Sequence, residues 1–83
     1  MTTYDGPATV IADGTEYEVT AQLTSTSREW YGSLEVPDGT AASAIFEADN
    51  TKLRIGARDA DFLSQDGSTD MDIQGSGRPP FGS

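Results

Sequence analysis

The sequence predicts an all-β domain, a small antiparallel barrel or sandwich of about six to seven strands. Three observations predict it. Apolar and polar residues alternate with period two along most of the chain, and helical periodicity is almost absent. β-branched and aromatic residues fill the alternating runs, while Gly, Pro, Asp and Asn punctuate them at short intervals. Asp13-Gly14 and Asp66-Gly67 read as hairpin turns between such runs. Asp-Gly suits a type I′ turn, which needs positive φ at both central positions. Residues 1–83 read as a single β domain, with 75–83 an extended Gly/Pro-rich tail.

The first unit is the segment ATVIADGTEYEVTAQLT. With Asp13-Gly14 as the turn, Ala12 faces Thr15, Val10 faces Tyr17 and Ala8 faces Val19. That register puts Ala8, Val10, Tyr17 and Val19 on one side, continued by Ala21 and Leu23. Glu16, Glu18, Thr20 and Gln22 point away. Turn chemistry and hydrophobic pattern agree, which specifies the hairpin strongly.

TSTSR is a loop, and EWYGSLEV follows as a strand with Trp30, Gly32, Leu34 and Val36 inward. Gly32 marks a bulge or a place where another element approaches. Residues 37–39, Pro-Asp-Gly, form a turn. Residues 40–50 are ambiguous. Their alanines permit a short helix, but Ala44, Phe46 and Ala48 alternate, and strand is the expectation. TKLRIG alternates with Leu53 and Ile55 inward.

The second Asp-Gly then predicts a second type I′ hairpin. It sets Leu63 opposite Asp70, Phe62 opposite Met71, and Asp61 opposite Asp72. Pro79 and Pro80 forbid a central strand in the tail. The expected core is Val10, Tyr17, Val19, Leu23, Trp30, Leu34, Val36, Phe46, Leu53, Ile55, Phe62, Met71 and Ile73. A closed barrel leaves no exposed edge, which suits a short chain.

Composition excludes much chemistry. The chain has no cysteine and no histidine. Disulfides, thiolate metal sites and His-based triads are therefore ruled out. With 14 acids against 5 bases the formal net charge is −9, which repels phosphate backbones and anionic lipid. Neither nucleic acid nor membrane is an expected partner. No apolar run of transmembrane length exists, and MTTYDGPATV has no basic region or apolar core of a signal peptide. A soluble, cytoplasmic protein is the expectation.

Two groups of residues are candidate sites. Asp59, Asp61, Asp66, Asp70 and Asp72 place five carboxylates within residues 59–72. Directly opposed like charges destabilise a strand pair, so Asp61 and Asp72 call for a cation, a basic neighbour or a different register. Calcium takes six to eight oxygens, and the regular spacing of an EF-hand loop is absent. The plainer reading is a solvated acidic face with Arg54 or Arg58 on a neighbouring strand. Paired carboxylates also serve glycoside hydrolysis, but a domain this small rarely builds the cleft. The second group is Tyr4, Tyr31 and Phe81, read either as an exposed aromatic interaction patch or as terminus packing. In the latter reading GRPPF covers the sheet and Phe81 plugs it.

Four segments, YDGPATV, DGTEYEVTAQL, WYGSL and IQGSGRPPF, together resemble a family of small actinobacterial β proteins catalogued as a domain of unknown function. The matching positions are Tyr4, Gly6, Pro7, Asp13, Gly14, Trp30, Gly32, Leu34, Gly75, Gly77, Pro80 and Phe81. Some relatives are extra domains on larger flavin enzymes, so the resemblance implies an accessory role and no catalytic residues.

The leading functional expectation is a non-enzymatic protein-interaction or accessory module without a cofactor. Its partner is another protein or a second copy of itself, engaged through a strand edge or the terminal aromatics. A small-ligand-binding β-barrel and a calcium-stabilised structural domain are the alternatives.

Overall fold

A computed structural model of the chain describes residues 2–75 and 77–81. Six strands and one helix run in the order β1 (Thr2–Ala12), β2 (Thr15–Ser25), β3 (Trp30–Glu35), α1 (Gly39–Glu47), β4 (Thr51–Ile55), β5 (Arg58–Ser64) and β6 (Asp70–Gly75). The strands close into an antiparallel barrel in the order β1-β2-β3-β6-β5-β4.

The first hairpin has the register its turn dictates. Ala12 pairs with Thr15, Val10 with Tyr17 and Ala8 with Val19. Asp13 and Gly14 have φ of 48° and 87°, the left-handed pair a type I′ turn requires. Asp13 also ties this turn to the segment after α1. Its amide donates to the Asn50 carbonyl at 3.0 Å, and its carboxylate accepts from the Asn50 amide at 3.0 Å.

The second Asp-Gly does not make such a turn. Neither Asp66 nor Gly67 has positive φ. Instead Asp66 Oδ1 accepts from the Ser68 amide at 3.0 Å and lies 2.7 Å from the Ser68 hydroxyl, so Asp66 organises its own wider turn. The register shifts as a result. Leu63 faces Gln74 rather than Asp70, and Phe62 faces Gly75 rather than Met71, a slip of four residues. An even slip keeps every side chain on its expected face. Phe62, Met71 and Ile73 therefore remain in the core.

Residues 39–47 are helical, which corrects the expected strand. Asp38 caps the helix, its Oδ1 accepting from the Ala41 amide at 2.7 Å. Ala42 and Ile45, one turn apart, are buried. Phe46 falls on the other side and is 49% exposed, so it does not belong to the core. Part of its ring lies against Gly67. Ala42, Ile45 and Phe81 join the core instead, while Tyr17 and Ile55 pack at its margin.

Two glycines carry close approaches. A β-carbon on Gly32 would collide with the β2 backbone at Gln22 and Leu23, which explains the glycine expected to mark an approach. A β-carbon on Gly75 would collide with the Trp30 indole. Trp30 is fully buried, and its indole Nε1–H has no hydrogen-bond partner among the described residues. No helix among the described residues is long and apolar enough to cross a membrane.

Candidate functional site

The register disperses the five aspartates. Asp59 faces Arg54 and Asp61 faces Lys52 on β4. Lys52 Nζ lies 3.2 Å from Asp61 Oδ1, an exposed ion pair that supplies the basic neighbour expected for this carboxylate. Asp72 faces Ser33 and Asp70 faces Glu35 on β3. Asp61 and Asp72 are thus not opposed. Asp66 stays within its own loop. Its carboxyl is held below the ordinary aspartate range, chiefly by the Ser68 hydroxyl and next by the Ser68 amide, both hydrogen-bonding to the charged form. Among the described residues no three carboxylates gather in a way that would hold a metal ion.

The three aromatics separate as well. Phe81 is buried at 5% exposure, with its ring centroid 6.2 Å from that of Trp30 at an edge-on 83°. Tyr4 packs beside Phe81 at 6.0 Å, and its hydroxyl donates to the Pro7 carbonyl. Tyr4 and Phe81 therefore belong to the closure of one barrel end, where Pro80 is also fully buried. This is the plug reading of the tail. Tyr31 stands apart on the outer wall, 42% exposed.

Tyr31 has a neighbour that sequence reasoning missed. Gln74 pairs with Tyr31 on one side and with Leu63 on the other. Leu63, Gln74 and Tyr31 thus form one row across the outside of β5, β6 and β3. At a strand spacing of about 4.8 Å, Leu63 and Tyr31 are about 10 Å apart. Leu63 is 72% exposed, the most exposed of the large apolar side chains among the described residues. The predicted register set it opposite Asp70, far along the strand, so the row was hidden. Carboxylates rim the row. Gln74 Nε2 donates to Glu29 Oε2 at 3.4 Å. Asp61 and Asp72 lie on the same face, each two residues from a member of the row.

Comparison with known families decides what this chain is related to. Residues 1–82 match the family described as domain of unknown function DUF4873. The chain belongs to this family. The match covers the barrel strands, the helix and Phe81 of the tail, so the DUF4873 domain here is the barrel with its closing segment. No curated protein and no solved structure matches the chain.

Proposed function

We propose that this DUF4873 domain is a non-enzymatic interaction or accessory module that docks a protein partner on the outer face of β5, β6 and β3. The observation that carries the reading is the cross-strand row of Leu63, Gln74 and Tyr31. An exposed Leu and Tyr bracketing an amide supply apolar anchors around a hydrogen-bonding centre, the usual make-up of an interface core. The surrounding Glu29 and Asp72, within a chain of net charge −9, favour a partner with basic groups around an apolar anchor. A second copy would bring acid against acid on this face, so a different, basic protein fits better than a homo-oligomer. A ligand inside the barrel is less well supported, because Val10, Trp30, Leu34, Leu53 and Met71 fill the interior without exposure.

Affinity capture from cells that make this protein tests the proposal, with wild type compared against Leu63→Asp and Tyr31→Ser. The expected result is a basic protein retained by wild type, released by salt and lost from both variants. Titrated back in pure form, it shifts the amide resonances of Tyr31, Leu63 and Gln74. Identical capture by all three proteins, or shifts centred elsewhere, would overturn the assignment.

A further inference from the structure

The closing tail is bound to the barrel end much as a peptide ligand would be. Among the described residues, no main-chain hydrogen bond ties 77–81 to a strand. The segment is held through two side chains instead. Pro80 is fully buried and Phe81 is 5% exposed. Phe81 meets the Trp30 ring edge-on, and Tyr4 lies beside it at 6.0 Å. Aromatic-lined grooves are the usual receptors of proline-rich segments. The receptor side chains Tyr4 and Trp30 come from β1 and β3, and the bound segment lies beyond β6. The chain has no cysteine, so no disulfide fastens the one to the other. The connection has a backbone requirement of its own. β6 ends at Gly75, and Gly77 has φ of 73°, so the tail returns to its own barrel through a left-handed residue. A β-carbon at Gly77 would meet nothing within 4 Å, so glycine serves here for its backbone alone.

We infer that the groove of Tyr4 and Trp30 also accepts this segment from a second copy of the chain, so that two barrels exchange tails about a hinge at Gly77. The groove makes the same contacts with the partner's tail as with its own, which makes exchange a low-cost route to a dimer. Each copy then supplies Pro80 and Phe81 to the other's core. Acid faces acid only if two outer faces meet, and exchange at the barrel end uses none of Tyr31, Gln74 and Leu63. Effective concentration favours the closed monomer, since a short flexible linker holds the tail at a local concentration of about 1 mM. Wild type is therefore a monomer at micromolar concentration and exchanges near about 1 mM. Backbone strain works in the opposite direction. In the exchanged form the hinge extends, and extended backbone admits any residue. A β-branched residue at position 77 thus penalises the closed form alone, by about tenfold at each hinge.

Gly77→Val tests the inference in the full chain. With two hinges in each dimer, its dissociation constant should fall about 100-fold, to about 10 µM, as read by sedimentation equilibrium. Trp30 is the single tryptophan, and its emission should match wild type because the indole keeps a Phe81 cover. Gly14→Val is the control. Gly14 has φ of 87°, and a β-carbon there also meets nothing within 4 Å, so the variant carries similar strain in a turn that does not hold the tail. It should remain a monomer. Exchange itself is read from Gly77→Val refolded as an equal mixture of isotope-labelled and unlabelled chains. Isotope-filtered NOEs should join Phe81 of one copy to Trp30 of the other. If Gly77→Val does not fold, wild type refolded at about 2 mM should show the same contacts. A folded Gly77→Val protein that stays monomeric at about 100 µM would overturn the inference, whether its tryptophan emission is unchanged or shifted to the red. So would Phe81–Trp30 contacts confined to one chain, in the variant or in concentrated wild type. Equal dimerisation of Gly14→Val would also overturn it, by reducing the effect to general destabilisation.

Discussion

Gly75→Ala adds one methyl group at the most crowded point of the barrel. Gly75 ends β6, and a β-carbon there would lie under 3.0 Å from the Cε2, Cδ2 and Nε1 atoms of Trp30. Normal carbon contacts are about 3.5–4.0 Å, so one group must move. The indole cannot easily yield, because Trp30 is fully buried and packed edge-on against Phe81. Replacing Gly by Ala usually stabilises a strand by about 0.4–1 kcal/mol through the unfolded state. Overpacking a core costs about 1–3 kcal/mol, occasionally more, and a rigid ring puts this case at the upper end. The clash therefore wins, with a net loss of about 2 kcal/mol. For a domain of this size that lowers Tm by about 8–16 °C. Thermal unfolding followed by tryptophan fluorescence measures it. Gly39→Ala is the control, since a β-carbon there meets nothing within 4 Å and the residue opens a helix. Its Tm should stay level or rise. A Gly75→Ala protein that melts at or above wild type would refute the packing of Trp30 under β6.

Four further outcomes are expected. Phe81→Ala costs about 3 kcal/mol and shifts Trp30 emission to the red, because the plug over the indole is lost; denaturant melts and emission spectra report both. Asp38→Ala removes the α1 cap, costs about 1 kcal/mol and speeds amide exchange in residues 39–47 before it affects the strands. Ser68→Ala deletes the larger of the two Ser68 hydrogen bonds that hold the Asp66 carboxyl low, so Asp66 titrates at higher pH in a carbon-detected NMR titration. In wild type this depressed carboxylate stabilises the fold at neutral pH, and the contribution is lost as pH falls from the ordinary aspartate value through the lower folded one. Leu63→Asp leaves the unfolding free energy within about 0.5 kcal/mol of wild type, since the side chain packs little, while abolishing partner capture.

The two Asp-Gly turns show where the sequence was legible and where it was not. At Asp13-Gly14 the local preference and the hydrophobic pattern select the same register, and the structure follows it pair by pair. At Asp66-Gly67 the dipeptide is the same, but Ser68 follows it. A hydroxyl and an amide at that position let Asp66 build a turn without left-handed backbone. Hydrophobic alternation cannot detect an even slip, so the core was readable while the outer pairing was not. The interaction row depends on outer pairing, and for that reason it was invisible until the barrel was closed. Residues 40–50 read as strand because Ala44, Phe46 and Ala48 alternate. The competing signal was present in the cap residue Asp38 and in the spacing of Ala42 and Ile45. Tyr4 and Phe81 read as either patch or plug, because burial of a tail depends on contacts distant in sequence.

The offset between β5 and β6 creates the row of Leu63, Gln74 and Tyr31 and also scatters the aspartates. Cross-strand proton contacts in a NOESY spectrum test it most directly. The account predicts backbone contacts between Leu63 and Gln74 and between Gln74 and Tyr31. Contacts between Leu63 and Asp70, with Asp61 against Asp72, would contradict it. They would remove the proposed docking face and restore an opposed pair of carboxylates.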